Sequence, residues 1–492
     1  MQHTIDQPAR ARSAFLLVAA GSIITSIMLG ARSTFGLYLE PITDALSTDR
    51  GTFALAIAIQ NLVWGLTQPL FGAIADRFGT ARVLGVGAVG YTASMLLLGS
   101  AESTGLLVVS AGFLIGVATG AASFAVVLSA VGRLVAPERR SLALGVVTAM
   151  GSVGQFVLVP VAGGLLDAYG WRTTVGVIGS LALLVILCAG PLRGNSPQQL
   201  AAMAAGRSAE DPASEAETGA GYPLADDLRR ASRHTPYLLL NMAFFVCGFH
   251  VTFIGVHLPA YVTDLGLESR VTLFGLEAGV AAFALSLIGL FNIFGSLTAG
   301  ALGSRYSRTR LLAGIYGLRA VVISLFLLLP ISTATTLAFG AGIGLLWLST
   351  VPLTGAIVSS QFGPQNSGTL FGIVFLSHQL GAFIGVWSGG ELFDATGSYR
   401  LVWLLAIALG VMAAVVHLLI DEGPAPAPPA AAGGGLPRLA PTGAAVLLVV
   451  VGLWALTLRP APAEAAASAA ADGGGAGTPT VLFCPLGGVH GG

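Results

Sequence analysis

Apolar runs of roughly twenty residues follow one another along this chain, and the short segments between them hold nearly all of its charge. They lie at residues 14–39, 52–75, 83–100, 105–132, 141–166, 173–192, 237–262, 272–301, 311–330, 334–358, 368–392 and 401–420. About 20 apolar residues in a helix span the ~30 Å of a bilayer's hydrocarbon. None of the runs alternates strictly as barrel strands do. None carries the polar outer face of a soluble bundle helix. The pattern predicts an all-α membrane protein with twelve transmembrane helices.

Residues 193–235 interrupt the series with Asp, Glu, Ser and Pro, and the stretches on either side of them match. "GAIADRFGTAR" (72–82) pairs with "GALGSRYSRTR" (300–310) at an offset of 228. "LGVVTAMGSVG" (144–154) pairs with "FGIVFLSHQLG" (371–381) at 227, and "GGLLDAYGWR" (163–172) with "GGELFDATGSYR" (389–400) at 226 to 228. Three pairs at almost one offset indicate a duplicated six-helix unit, the parallel-repeat plan of many transporters. The expected organisation is an N-terminal six-helix bundle over 1–192, a linker over 193–235 and a C-terminal six-helix bundle over 236–420, enclosing a central cavity. A low-complexity tail occupies 421–492. Its apolar segment 442–458 is short, and is either a thirteenth crossing or a non-functional extension.

Composition agrees with this plan. The chain is 54% hydrophobic and 9% charged, against about 25% charged in soluble domains, and its mean hydropathy is +0.83. All 23 basic residues are arginine. With the N-terminus inside, fifteen loop arginines face the cytoplasm and four (Arg50, Arg172, Arg270, Arg400) face out, a strong positive-inside bias. No basic patch stands apart from the loops, so no nucleic-acid partner is expected. The absence of lysine beside abundant Ala and Gly points to a GC-rich bacterial genome, hence a cytoplasmic (inner) membrane. The three cysteines have no metal or redox spacing, and no cofactor is expected. "GVGAVG" (85–90) fits a dinucleotide pattern but lies inside a membrane run with no strand before it, and reads as helix packing.

"GAIADRFGTAR" resembles the loop signature between helices 2 and 3 of the major facilitator superfamily, and "GALGSRYSRTR" its degraded copy between helices 8 and 9. The resemblance covers residues 14 to about 420. "RSTFGLYLEPI", "RRSLALGVVTAMGSVG" and "DATGSYR" are similar to stretches of its monocarboxylate and oxalate/formate branch. It implies alternating access around a central site, with Gly72, Asp76, Arg77, Arg82 and Arg305 forming contacts that hold in one state and break in the other. Two features depart from the branch. Helix 8 carries no basic residue, and the cation of helix 1 stands at Arg32 rather than at the position of Ser33.

Ionisable groups at membrane depth are expensive and mark functional sites. At about 1.5 Å per residue, Arg32 lies roughly 10 Å from the outer end of helix 1 and Asn61 about 14 Å down helix 2. On the same scale His250 lies about 18 Å from the outer end of helix 7, and His378 about 15 Å from the inner end of helix 11. Helical spacing puts His250, His257 and Tyr261 on one face. Arg32 either snorkels outward toward Glu40 and Asp44 or faces a cavity, where its fork suits a carboxylate. The candidate substrate-binding residues are Arg32, Asn61, His250, His257, Tyr261 and His378. His250 and His378 are the candidates for proton coupling. Arg319, on peripheral helix 9, reads as structural.

The motifs of zinc proteases, serine hydrolases and Walker ATPases are absent from the sequence, so no enzyme is indicated. The leading reading is a monomeric secondary transporter in the lipid bilayer, moving a small organic anion, a monocarboxylate by resemblance, with H+ as its coupling partner. Two alternatives stay open. One is efflux of a drug-like compound along an aromatic lining that includes Trp64 and Trp347; the other is a non-transporting sensor. The arginine bias predicts that residues 193–235 are cytoplasmic. Single cysteines introduced there should resist an impermeant thiol reagent applied to intact cells and react once the cells are opened.

Overall fold

Polar caps and glycines mark many ends of the apolar runs, among them Asp49, Gly79, Ser103, Ser307 and Gly397. The computed structural model describes residues 6–135, 137–193, 222–273, 275–363 and 366–426. The helices that cross are α1 (Asp6–Ser33), α2 (Arg50–Phe78), α3 (Thr80–Gly99) and α4, in pieces between Thr104 and Leu134. Helices α5 and α6 share the stretch Pro137–Ser180 and turn at Gly170, where φ is 74°. Next come α7 (Thr235–Asp264), α8 (Val280–Gly303), α9 (Arg308–Leu328) and α10, in pieces Thr333–Leu346 and Thr350–Phe362. Helices α11 (Ser367–Thr396) and α12 (Arg400–Leu418) complete the set. Eleven described stretches are long and apolar enough to cross a membrane, and one of them, Leu142–Cys188, contains both α5 and α6. The chain is thus an all-α membrane protein, with twelve spans and one small hairpin among the described residues.

That hairpin corrects the start of helix 8. Of the residues expected to be helical there, 272–273 instead belong to strand β1 (Arg270–Leu273) and 276–279 to strand β2 (Leu276–Gly279). Gly275 takes φ 76° between them, a conformation that favours glycine. Arg270 bonds both Glu277 at 3.1 Å and Asp167 at 2.9 Å, which ties the hairpin to the end of α5.

Small residues set the packing within each half. A Cβ at Gly116 would lie 2.8 Å from the Gln60 carbonyl of α2, and one at Gly385 only 2.6 Å from that of Phe249 in α7. The glycine faces of α4 and α11 therefore dock backbone to backbone. The fourth helix of each half is broken at matching places. Residues 122–123 interrupt α4 and 347–349 interrupt α10, at the repeat offset. Arg319 donates from Nε to the Leu346 carbonyl at 3.0 Å and from Nη2 to those of Leu346 and Trp347. This is the structural role expected of it. Beyond α12, Glu422 caps α9 by accepting from Ser307 Oγ at 2.8 Å and Thr309 N at 2.9 Å. Burial raises the Glu422 pKa, but these bonds and nearby Arg308 outweigh it and hold the carboxyl below its ordinary value.

The two halves meet chiefly along α2 with α11 and α5 with α8, over part of their length. Toward the Arg50 end the contact is tight: Gly390 abuts Ala54 and the Arg50 carbonyl, and Gly289 abuts the Ser152 carbonyl. Gln155 Nε2 donates to the Leu285 carbonyl at 2.9 Å, Ser286 Oγ to that of Phe156 at 2.6 Å, and Asn292 Nδ2 to Ser152 Oγ at 2.8 Å. Toward the linker end, repeat mates Gly72 and Gly300, and Gly145 and Gly372, each have nothing within 4 Å of a would-be Cβ. Among the described residues, the halves are closed at the Arg50 end and parted at the other.

Arg50 holds the closed end. Its guanidinium forks onto Asp264 of the other half at 2.6 and 2.8 Å, bonds Glu40 at 3.1 Å and Tyr399 at 3.2 Å, and lies 4.0 Å from the Phe393 ring centre. Asp394 accepts from the backbone N–H groups of Arg50 and Gly51 at 3.2 and 2.6 Å. Its carboxylate thus meets the positive end of α2. Since a charge-assisted bond contributes about 1.5–3 kcal/mol, Arg50→Ala should raise the population with this end open at least tenfold. Spin labels at exposed Ala45 and Ala395 should report it by pulsed EPR as a longer-distance component; an unchanged distribution would show that Arg50 is no latch.

Candidate functional site

Helix α1 is held against α5 by contacts that leave no room for larger side chains. A Cβ at Gly154 would overlap the Ser26 carbonyl, Ser26 Oγ donates to the Met150 carbonyl at 2.6 Å, and Thr25 Oγ1 to that of Val147 at 3.0 Å. This packing directs Arg32 toward α2. There Gln60 is turned the other way, donating to the Ala111 carbonyl of α4 at 2.8 Å, so that Asn61 and Trp64, three residues apart on a helix, share the inner face.

Arg32 Nη2 donates to Asn61 Oδ1, and the guanidinium carbon lies 4.8 Å from the Trp64 ring centre. Asn61 is fully buried and is steadied by donating from Nδ2 to the Ile57 carbonyl at 2.8 Å. The Trp64 ring meets Phe375 of α11 edge-on at 5.5 Å, and Phe375 stacks on His378 at 5.5 Å with the planes 8° apart. His378 Nδ1 lies 3.2 Å from Gln379 Oε1, and Gln379 Nε2 donates to the Asn61 backbone carbonyl at 3.1 Å. Arg32, Trp64, Phe375, His378, Gln379 and Asn61 therefore close a ring of contacts across both halves.

The ring holds unused donors. Arg32 Nε and Trp64 Nε1 are buried with no hydrogen-bond partner, and Arg32 has no acidic partner among the described residues. Glu40, which a snorkelling Arg32 would reach, is paired with Arg50 instead. A guanidinium and an indole N–H left without acceptors fit a ligand that supplies acceptors. The structure thus brings Arg32, Asn61 and His378 together. Phe375 and Gln379 escaped the sequence reading; Gln379 carried one signal, an amide beside His378 at membrane depth.

Three of the expected site residues stand elsewhere. His250 Nε2 lies 2.8 Å from the Ala406 carbonyl of α12, turned away from the ring. His257 spans between helices, with Nε2 2.8 Å from the Val386 carbonyl of α11 and Nδ1 3.1 Å from the Tyr399 hydroxyl. Tyr261 packs against Phe326, Tyr399 and Trp403 near the Arg50 end. The shared face of α7 is real, but tight packing of α7 on α11, where a Cβ at Gly248 would overlap the His378 carbonyl, turns that face into the C-terminal bundle. At the parted end, Arg82 Nη1 donates to the Phe78 carbonyl of its own loop at 3.2 Å, Arg77 lies over Phe78, Arg305 is exposed, and Gly72 is free of contact. The side chain of Asp76, like the segment 442–458, lies outside the described residues.

The sequence model of the Major Facilitator Superfamily matches residues 21–351 and again 271–483. The chain belongs to the major facilitator superfamily. This is a family of transporters, not enzymes. Among curated relatives, the MFS-type transporter YcxA of Bacillus subtilis is 26% identical over 395 residues, 79% of this chain and 90% of that protein. Monocarboxylate transporter 13 of Bos taurus is 25% identical over 426 residues, 84% of this chain and 92% of that one. Among solved structures, a bacterial homologue of the human lysosomal transporter Spinster, inward-facing and unoccupied, superposes with a TM-score of 0.65 at 16% identity, covering 84% of this chain and 97% of that one. A D-xylose–proton symporter superposes at 0.63 and 14% identity, covering 82% and 97%. Both show the same fold. The chain thus resembles the monocarboxylate branch in sequence.

His257 offers a direct check on the geometry. His257→Leu removes the buried bonds to the Val386 carbonyl and the Tyr399 hydroxyl, so thermal unfolding should show a loss of about 1–3 kcal/mol, while affinity for any ligand bound at Arg32 stays unchanged.

Proposed function

We propose that this superfamily member moves a small organic anion, a monocarboxylate, across the cytoplasmic membrane of a bacterium by alternating access. The observation that carries the reading is the unpaired Arg32 guanidinium, held by Asn61 beside the orphan indole N–H of Trp64. A carboxylate carries the acceptors that these donors lack, and its charge offsets that of the arginine. The likeness to a monocarboxylate transporter over most of the chain supports the same substrate class. His378, linked to Arg32 through Trp64 and Phe375, is the group we assign to proton coupling, since an imidazole both accepts and releases protons. His250 and His257 are left out of the proposal because the Nε2 of each faces a carbonyl inside the C-terminal bundle, Ala406 in α12 and Val386 in α11, away from the Arg32 ring.

The parted end is the one that carries the linker, the end that the arginine bias assigns to the cytoplasm. In this reading the conformation is inward-open, with Arg50 closing the outer side. Residues 1–192 and 236–420 move as the two rocking bundles, and the loop residues Gly72, Asp76, Arg77, Arg82 and Arg305 come together in the opposite state.

Arg32→Ala should lower carboxylate affinity at least about tenfold, the effect of losing a charge-assisted contact, with little change in melting temperature. Arg32→Lys should recover only part, because an ammonium keeps the charge without the planar fork. Acetate, lactate, pyruvate and oxalate, titrated against the purified variants, provide the measurement. Wild-type affinity in Arg32→Ala would remove the anion site, and competition by amphiphilic drugs alone would favour efflux.

A further inference from the structure

We infer that Gln379 is a positioning residue that couples occupancy of the Arg32 site to the closing of the two halves; the inference rests on the anion-site reading above. One buried amide faces both sides of the machine. Its oxygen lies 3.2 Å from His378 Nδ1, in the C-terminal half of the site. Its nitrogen donates at 3.1 Å to the backbone carbonyl of Asn61, the residue whose side chain holds Arg32 in the N-terminal half. Gln379 has no solvent exposure, and its side chain lies so close to Gly65 that a Cβ there would come within 2.8 Å of Gln379 Cγ.

The position matters as much as the bonds. Between α2 and α11, the contacts run from Asp394 on Arg50 and Gly51, through Gly390 on Ala54, to Gln379 on Asn61. Farther along the same two helices, Gly72 and Gly372 meet nothing. Gln379 therefore sits where α2 and α11 begin to part, and is a polar tie between them at that boundary. A buried amide that loses a partner is costly. If His378 turns toward a bound anion, the Gln379 oxygen loses its partner and the amide must re-form its bonds, which alters its hold on α2. Ligand binding and interface geometry become one event.

A simple helix–helix tie would behave differently. Removing it would lower stability, and an isosteric apolar side chain would restore function. The coupling role predicts a split between binding and turnover. The test compares wild type, Gln379→Met, Gln379→Glu and Arg32→Ala in proteoliposomes, using whichever of acetate, lactate, pyruvate or oxalate the wild type exchanges fastest. Gln379→Met keeps length and volume but removes the amide. Gln379→Glu keeps the oxygen facing His378 but replaces the donor to Asn61.

Both Gln379 variants should exchange roughly five- to tenfold more slowly at saturation, as loss of one buried hydrogen bond from a conformational step implies. Their affinity for the same probe should stay within about twofold, a change too small to account for a lost charge-assisted contact. If Gln379→Met does not fold, Gln379→Glu alone decides. Wild-type saturated exchange in the folded variants, or an equal loss of affinity and rate, overturns the inference while leaving the site intact. Wild-type affinity in Arg32→Ala, or no exchange of any probe by wild type, overturns the anion site and takes the inference with it.

Discussion

Helices α2 and α11, like α5 and α8, touch across the molecule along part of their length, and the rest of the structure is arranged around that half-contact. Small residues allow backbones to approach where the halves are closed. Gly289 meets the Ser152 carbonyl and Gly390 the Arg50 carbonyl, leaving no space for lipid or water. Equivalent glycines at the other end face nothing. Lipid tails are as apolar as the helices they would replace, so packing and interhelical hydrogen bonds, rather than hydrophobic burial, decide how long such an interface is. The bonds of Gln155, Ser286 and Asn292 to the opposite half lie in the closed part.

Three arginines show how a charge is accommodated at different depths. Arg50, near the surface, is met by carboxylates on both halves, so its pairing depends on the halves being together. Arg319, buried in the C-terminal half, uses carbonyls released by the break in α10, so its partners come from a helix that gave up two of its own bonds. Arg32, at the junction of the halves, has one amide, one aromatic face and a free Nε. The first is satisfied by the protein, and the second is held by two carbonyls through Nε and Nη2, with its Nη1 left without a partner. The third is left ready for something else. Location is the physical basis for proposing a ligand at Arg32 and not at Arg319: Arg32 stands where the halves meet, beside the orphan indole N–H of Trp64, whereas Arg319 is bound to backbone carbonyls within one half.

The break in α10 also shows how the closed interface is linked to the core of one half. The Leu348 N–H, freed by the break, donates to Asn292 Oδ1 at 2.9 Å, while the amide nitrogen of the same side chain bonds Ser152 of the other half at 2.8 Å. One α8 side chain thus reads both the broken helix and the neighbouring bundle. Gln379 does the equivalent on α11, between a histidine and the backbone of α2. In both cases a single amide uses its two ends on two different bodies, an arrangement suited to rigid units that must move together.

The number of spans, the duplication and the presence of a charge at membrane depth in Arg32 were legible in the sequence, because they follow from local properties. A run of twenty apolar residues must cross, a repeated motif at one offset must mean a repeated unit, and a guanidinium at depth must have a use. The facing of helix α7 was not legible. Spacing places His250, His257 and Tyr261 on one side of that helix, as observed, but rotation about the helix axis is free until a neighbour fixes it. The approach of Gly248 to the His378 carbonyl turned that side into the bundle and away from Arg32. The hairpin at 270–279 escaped for a related reason: its apolar residues suit a strand as well as a helix, and the Asp167–Arg270 contact that holds it comes from a distant part of the chain. Gln379 joined the site because α2 and α11 cross at Gly65. Periodicity along one chain determines which residues share a face; only the packing of one helix against another decides what that face meets.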